Sequence, residues 1–131
     1  MNLGGFLEIE MGNDIGVCVL LSAYKPDLKF FAEQLDSIDK QTFPLTLLVR
    51  NDCPESDSLE RFIQAHITKN AYRYYHGDNN LGYVKSFEAL LSLAEGDYVV
   101  LCDQDDIWEP NRVEVSLNHM LEEGSILDAV S

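Results

Sequence analysis

The sequence predicts an α/β domain with three layers, helices covering both faces of a mainly parallel sheet, and three observations predict it. Short apolar, β-branched runs alternate with longer segments of helical periodicity, as parallel strands alternate with their crossover helices. Within those runs apolar residues follow one another instead of alternating with polar ones, the mark of strands covered on both faces. Each run also ends in a polar turn, and in open sheets of this kind ligands bind beyond the carboxyl ends of the strands.

Taken in order, the first strand is Ile15 to Leu21, stopping at Ser22-Ala23-Tyr24-Lys25-Pro26. Asp27 then caps a helix whose Leu28, Phe31, Leu35 and Ile38 share one face, until Gln41-Thr42-Phe43-Pro44 ends it. Leu45 to Val49 is the second strand and Asn51 to Ser56 its polar turn; Ser56 or Asp57 starts a helix with Leu59, Phe62, Ile63 and Ile67 inward, closing near Asn70. The aromatic run Tyr72 to Tyr75 suits a third strand, followed by the loop His76 to Asn80. Tyr83 to Leu93 reads as a helix with Val84, Phe87, Leu90 and Leu91 inward and Gly96 as its stop. Tyr98 to Cys102 is a fourth strand, running straight into Asp103-Gln104-Asp105-Asp106. Pro110 fits the first turn of a last helix carrying Val113, Leu117, Met120 and Leu121. Ile126 to Val130 reads as a fifth strand cut short, so the domain is expected to be truncated.

With 131 residues, 46% of them hydrophobic, the chain can bury one ordinary core, so a single domain over residues 15–131 is expected behind a loosely packed leader, residues 1–14. Its 23 acidic residues against 9 basic ones give a net charge of -14, a field that repels nucleic acid. The same field repels any anionic small molecule, so a phosphate site here needs a cation, backbone N–H groups or a few placed basic side chains. Cys18, Cys53 and Cys102 are odd in number and unpaired in spacing, which argues against a disulfide framework or structural zinc and for a reducing interior. The N-terminus has no signal-peptide pattern, and no run approaches the roughly 18 apolar residues of a membrane span. The expectation is a cytoplasmic chain, reaching the inner face of a membrane only through segments outside this sequence.

The acidic run holds the chemistry of most interest. In an extended segment Asp103 and Asp105 point the same way and can address one hard cation, Mg2+ or Mn2+, whose shell a diphosphate completes; the plain alternative is a solvated loop before a helix N-terminus. Asp52, at another strand end, can accept from a base or ribose, or form an Asx turn. Ser22, Ala23 and Tyr24 can offer backbone groups and an aromatic face to a base, or be an ordinary strand exit. Gly82 before its helix permits close backbone approach, and Lys85 on the first turn can meet a phosphate or point to solvent.

Together the Val17 to Pro26 segment VCVLLSAYKP, Asn51-Asp52, Asn79-Asn80-Leu81-Gly82, Ala94 to Tyr98 and LCDQDDIWEPNR over Leu101 to Arg112 resemble the nucleotide-binding half of the family 2 glycosyltransferases, bacterial rhamnosyltransferase-like members especially. The resemblance covers nearly all of residues 15–115. It implies a GT-A (nucleotide-diphospho-sugar transferase) fold and an inverting enzyme that moves a sugar from a nucleotide-diphospho-sugar donor to a glycan or lipid-linked acceptor in cell-surface polysaccharide synthesis. By residue, it implies that Asp52 binds the nucleobase and that the Ser22–Tyr24 backbone makes the first nucleotide contact. Asp103 would lie near ribose and metal, Asp105 would ligate the metal directly, and Asp106 would orient that shell. Two departures, Tyr24-Lys25 for Tyr-Asn and Asn51-Asp52-Cys53-Pro54 for the DDxS turn, leave the base open.

The family's general base lies in a later segment that nothing after Leu121 matches, and Glu122 and Glu123 follow the acidic run too closely to replace it. A donor-binding fragment with little activity of its own is therefore expected. Other readings remain at this point: a metal-dependent nucleotidyltransferase, which would want a Gly-rich basic loop near the start; a phosphotransferase, which would want its aspartyl motif after the first strand; and a non-catalytic binding domain.

Overall fold

A computed structural model describes residues 15–56 and 58–128. The leader, Asp57 and the end of the expected fifth strand at residues 129 and 130 lie outside the described residues. Five strands, β1 (Val17–Ala23), β2 (Thr46–Asn51), β3 (Ala71–His76), β4 (Tyr98–Cys102) and β5 (Leu127–Asp128), form one sheet in the order β3-β2-β1-β4-β5, every pairing parallel. Between them run α1 (Leu28–Asp39), α2 (Leu59–His66), α3 (Tyr83–Leu93) and α4 (Arg112–Glu123).

The strand order follows from how each strand is covered. All seven residues of β1 are buried, as they must be in the central strand of a sheet with helices on both faces. Val17, Val19 and Leu21 meet α1, α2 and α4 through Phe31, Leu35, Ile63 and Leu117, whereas Cys18 and Leu20 meet Phe87 and Leu90 of α3. Phe31, Leu35 and Ile38 are fully buried, and each contributes about 1.5–3 kcal/mol of transfer free energy. The chain steps outward from β1 to β2 to β3 and then returns to place β4 on the far side of β1. Such a reversal, at the carboxyl ends of β1 and β4, is where open sheets of this kind form a ligand crevice.

Local chemistry sets the helix ends. Asp27 caps α1 as expected, its carboxylate accepting the Lys29 and Phe30 N–H groups at 3.0 and 3.3 Å. At the other end buried Asp39 accepts from the Thr68, Lys69 and Asn70 N–H groups at 3.0 to 3.1 Å, tying α1 to the chain entering β3. Burial pushes the Asp39 carboxyl up, but these donors outweigh it and hold it below its ordinary 3.8. Because the folded value lies below the unfolded one, this stabilisation is present above pH 3.8 and is lost as pH falls through the lower folded value.

Several boundaries differ from expectation. β1 starts at Val17 and continues through Ala23, so Ser22 and Ala23 are strand residues instead of an exit loop. α2 closes at His66, short of Asn70, and α4 begins at Arg112, leaving Pro110 before the helix. Gly96 does not stop α3, which ends at Leu93; its φ of +114° brings its Cα against Gly16, where a Cβ on Gly96 would lie 3.0 Å from the Gly16 carbonyl oxygen. Val84 and Leu91, expected inward, are 65% and 45% exposed. Beside α3 they line an apolar groove of about 230 Å³ with Phe87, Leu101 and Leu127. The three cysteines are free and buried, and no helix among the described residues is long and apolar enough to cross a membrane.

Candidate functional site

The residues singled out in the sequence converge on the carboxyl end of the sheet, yet they fall into two chemically different groups. On the β1–β2 side, Asp52 is 2% exposed and its carboxylate is already engaged. It forms an ion pair with buried Arg50, accepts the Leu81 N–H at 2.9 Å through Oδ1, and accepts the Gly82 N–H at 3.0 Å through Oδ2. Asp52 therefore pins the loop that leads into α3, where the plain sequence alternative was an Asx turn. Arg50 adds donations to the Asn79 carbonyl and the Ser86 hydroxyl, both at 3.1 Å, and Ser22 Oγ donates to Ser86 Oγ at 2.6 Å. Gly77 makes room for this guanidinium, since a Cβ there would sit 2.3 Å from Arg50 Nη2.

The backbone groups expected to meet a nucleotide are also partnered within the protein. The Ala23 carbonyl accepts the Asp52 N–H at 2.8 Å. Gln104 spans both backbone groups of Tyr24, its Oε1 accepting the Tyr24 N–H at 2.7 Å and its Nε2 donating to the Tyr24 carbonyl at 3.2 Å. The Tyr24 ring remains 42% exposed, with Lys25 Nζ 5.3 Å from its centroid. Gly82, at φ +84°, has nothing within 4 Å of where a Cβ would stand, so the space beside it is open although its N–H is in use. Lys85 lies exposed on the first turn of α3, without an ion pair among the described residues.

The β4 side is built differently. Asp103 to Asp106 form a tight turn, closed by the Asp106 N–H donating to the Asp103 carbonyl at 3.1 Å, with Asp105 at φ +75°. The extended segment expected there is thus absent, and the alternation that put Asp103 and Asp105 on one side does not apply. Tyr83 OH donates to Asp103 Oδ1, and this bond first, then burial, pushes the Tyr83 phenol up to about 12, so the hydroxyl keeps its proton and remains a donor. The Asp105 side chain is exposed and has no partner among the described residues. Asp106 Oδ2 is buried and accepts no hydrogen bond from the described residues. An open carboxylate beside an unsatisfied buried carboxylate oxygen is an acceptor-rich set that suits a hard cation. Among the described residues no three His, Cys, Asp or Glu side chains converge, so these carboxylates alone do not make a complete cation shell.

Three residues that matter to this geometry carried no signal in the sequence reading: Arg50, Gln104 and Gln34. Each is a polar residue with partners distant in sequence, Arg50 in addition to its neighbour Asp52, as when Gln34 Nε2 donates to the Asp103 carbonyl at 2.6 Å across 69 residues.

Comparison with known proteins gives the family and the fold. The chain is 27% identical over 106 residues to an uncharacterized glycosyltransferase, MJ1057, of Methanocaldococcus jannaschii, covering 79% of this chain and 37% of that protein. It is 32% identical over 74 residues to the putative colanic acid biosynthesis glycosyl transferase WcaA of Escherichia coli, covering 56% and 26% respectively. The chain thus spans between about a quarter and little more than a third of the length of these relatives. Among solved structures, S. aureus TarS 1-349 in complex with UDP superposes with a TM-score of 0.72 at 24% identity, over 84% of this chain and 33% of that one. The mannosyltransferase PcManGT of Pyrobaculum calidifontis, in complex with GDP-Man and Mn2+, superposes at 0.64 and 24% identity, over 78% and 30%. At these identities the superpositions speak for the fold alone, which is GT-A. The model for glycosyl transferase family 2 matches residues 18–130, nearly the whole described domain, and the chain belongs to that family.

Proposed function

We propose that this chain is the donor-binding part of an inverting glycosyltransferase. It would hold a nucleotide-diphospho-sugar whose sugar passes to a glycan or lipid-linked acceptor in cell-surface polysaccharide synthesis. Asp105 and Asp103 hold Mg2+ or Mn2+, and the cation supplies the charge that an acidic chain needs to accept the donor's diphosphate. Asp106 orients that shell, and Lys85 meets a phosphate from α3. Tyr24 and the Ser22–Ala23 strand end form the wall for the nucleoside, while Asp52 fixes the loop carrying Gly82 on the opposite side. The general base that deprotonates the acceptor lies outside residues 15–131, so the chain by itself binds donor and has little transferase activity.

The observation that carries this reading is the acidic turn. It leaves β4 at the crevice beside β1 and keeps the Asp105 carboxylate open. Supporting it are a fold neighbour in complex with GDP-Man and Mn2+, others in complex with UDP and UDP-GlcNAc, and a relative named for colanic acid biosynthesis. Family membership favours this reading over the nucleotidyltransferase and phosphotransferase alternatives.

Calorimetry with UDP, GDP and dTDP, each with and without manganese, tests the reading. At least one nucleotide should bind with a component that requires the metal. No metal-dependent binding by any of the three would refute the site and favour a non-catalytic binding domain.

A further inference from the structure

The geometry points to Gln34 as the positioning residue of the acidic turn, a template on α1 that shapes the backbone of both would-be metal-binding aspartates. This inference rests on the donor-site reading above.

Gln34 is fully buried, and its carboxamide is spent on the segment from Cys102 to Asp105. Nε2 donates to the Asp103 carbonyl at 2.6 Å and to Cys102 Sγ at 3.3 Å, while Oε1 lies 3.4 Å from the Asp105 N–H that donates to it. A buried amide is costly unless both its ends are satisfied, and a leucine would fill a similar volume without that cost. Packing alone therefore gives no reason for glutamine. What the amide does that leucine cannot is hold one carbonyl and one N–H on either side of Gln104, and so define the turn. Asp105 needs such support, because its φ of +75° is unfavourable for a residue with a Cβ.

Gln34 also belongs to a longer row. Ser37 Oγ accepts the Trp108 N–H at 3.0 Å, and just past the helix Gln41 donates to the Glu109 carbonyl at 2.8 Å and accepts the Val113 N–H at 2.9 Å. Positions 34, 37 and 41 share a helical side, and successive members grip successive stretches of the chain from Asp103 to Val113. Gln34 is the end of that row that touches the aspartates, and Gln41 the end that does not. The two ends separate a role in the site from a role in the fold.

Three variants of the 131-residue chain test this. Gln34→Leu removes the carboxamide at similar volume, Gln34→Glu keeps the shape and one acceptor but loses the donations, and Gln41→Leu is the structural control. The readouts are Tm, hydrogen exchange of the Asp105 amide without metal, and UDP and GDP binding with and without manganese. Both Gln34 variants should speed Asp105 exchange and weaken the manganese-dependent component by about tenfold or more, leaving the metal-free component unchanged. Gln41→Leu should lower Tm and leave the Asp105 amide and the manganese component as they are. If Gln34→Leu does not fold, Gln34→Glu decides. Unchanged exchange and unchanged manganese dependence in a folded Gln34 variant, or equal losses in Gln41→Leu, would overturn the inference. A parent chain without manganese-dependent binding would instead defeat the donor-site reading, and this inference with it.

Discussion

The two sides of the crevice manage their carboxylates in opposite ways. On the β1–β2 side Asp52 is buried, ion-paired and saturated by backbone donors, whereas on the β4 side Asp105 is exposed and Asp106 keeps a buried oxygen without a donor. The difference teaches that a strand-end aspartate can be structural or ligand-ready in one site, and that partners separate the two better than position does. Substitution should therefore destabilise the first side and spare, or even stabilise, the second.

The largest effect is expected on the closed side. Arg50→Ala strands the Asp52 carboxylate in the interior and should cost about 3–5 kcal/mol in urea unfolding, because breaking a buried pair leaves one charge uncompensated. A cost near zero would mean that the pair is solvated and the contrast false. Gly77→Ala comes next: its methyl would collide with the pinned guanidinium, for about 1–3 kcal/mol of overpacking.

On the open side the sign reverses. Asp105→Gly relieves a left-handed residue and should raise stability by up to about 1 kcal/mol while removing the proposed metal ligand, a trade that thermal unfolding and manganese titration would read together. The smallest effect concerns Tyr83, whose phenol is held at about 12 against 10.0 unfolded. A raised folded value means that its contribution is complete below pH 10 and is lost as pH rises toward 12. Ultraviolet titration should show one tyrosine ionising near 12, and Tyr83→Phe should abolish that step and flatten stability across the same window. A step that survives the substitution belongs to another tyrosine.

The fold was legible because burial on both faces leaves apolar runs such as Val17 to Leu21, and the Asp27 cap is a local signal. Val84 and Leu91 misled because periodicity predicts an apolar stripe but not the width of what covers it; among the described residues α3 packs without a helical neighbour on its face, and the flank of its stripe lines a groove. Of the site, the positions of Asp52, Asp103 and Asp105 could be read from turn composition. Their environments could not. Arg50, Gln34 and Gln104 look like ordinary polar residues, and apart from the Arg50–Asp52 pair their partners lie 29 to 80 residues away, where only the folded sheet brings them near. The turn at Asp105 was misread as extended because its shape comes from a helix early in the chain.

The central claim is that the open carboxylate on the β4 side is the metal ligand while the closed side serves the nucleoside. Calorimetry of Asp105→Asn against the parent chain, titrated with UDP and GDP in the presence and absence of manganese, tests it most directly. The account predicts that the manganese-dependent component disappears and the metal-free component persists. A manganese-dependent component of undiminished affinity in Asp105→Asn would contradict it.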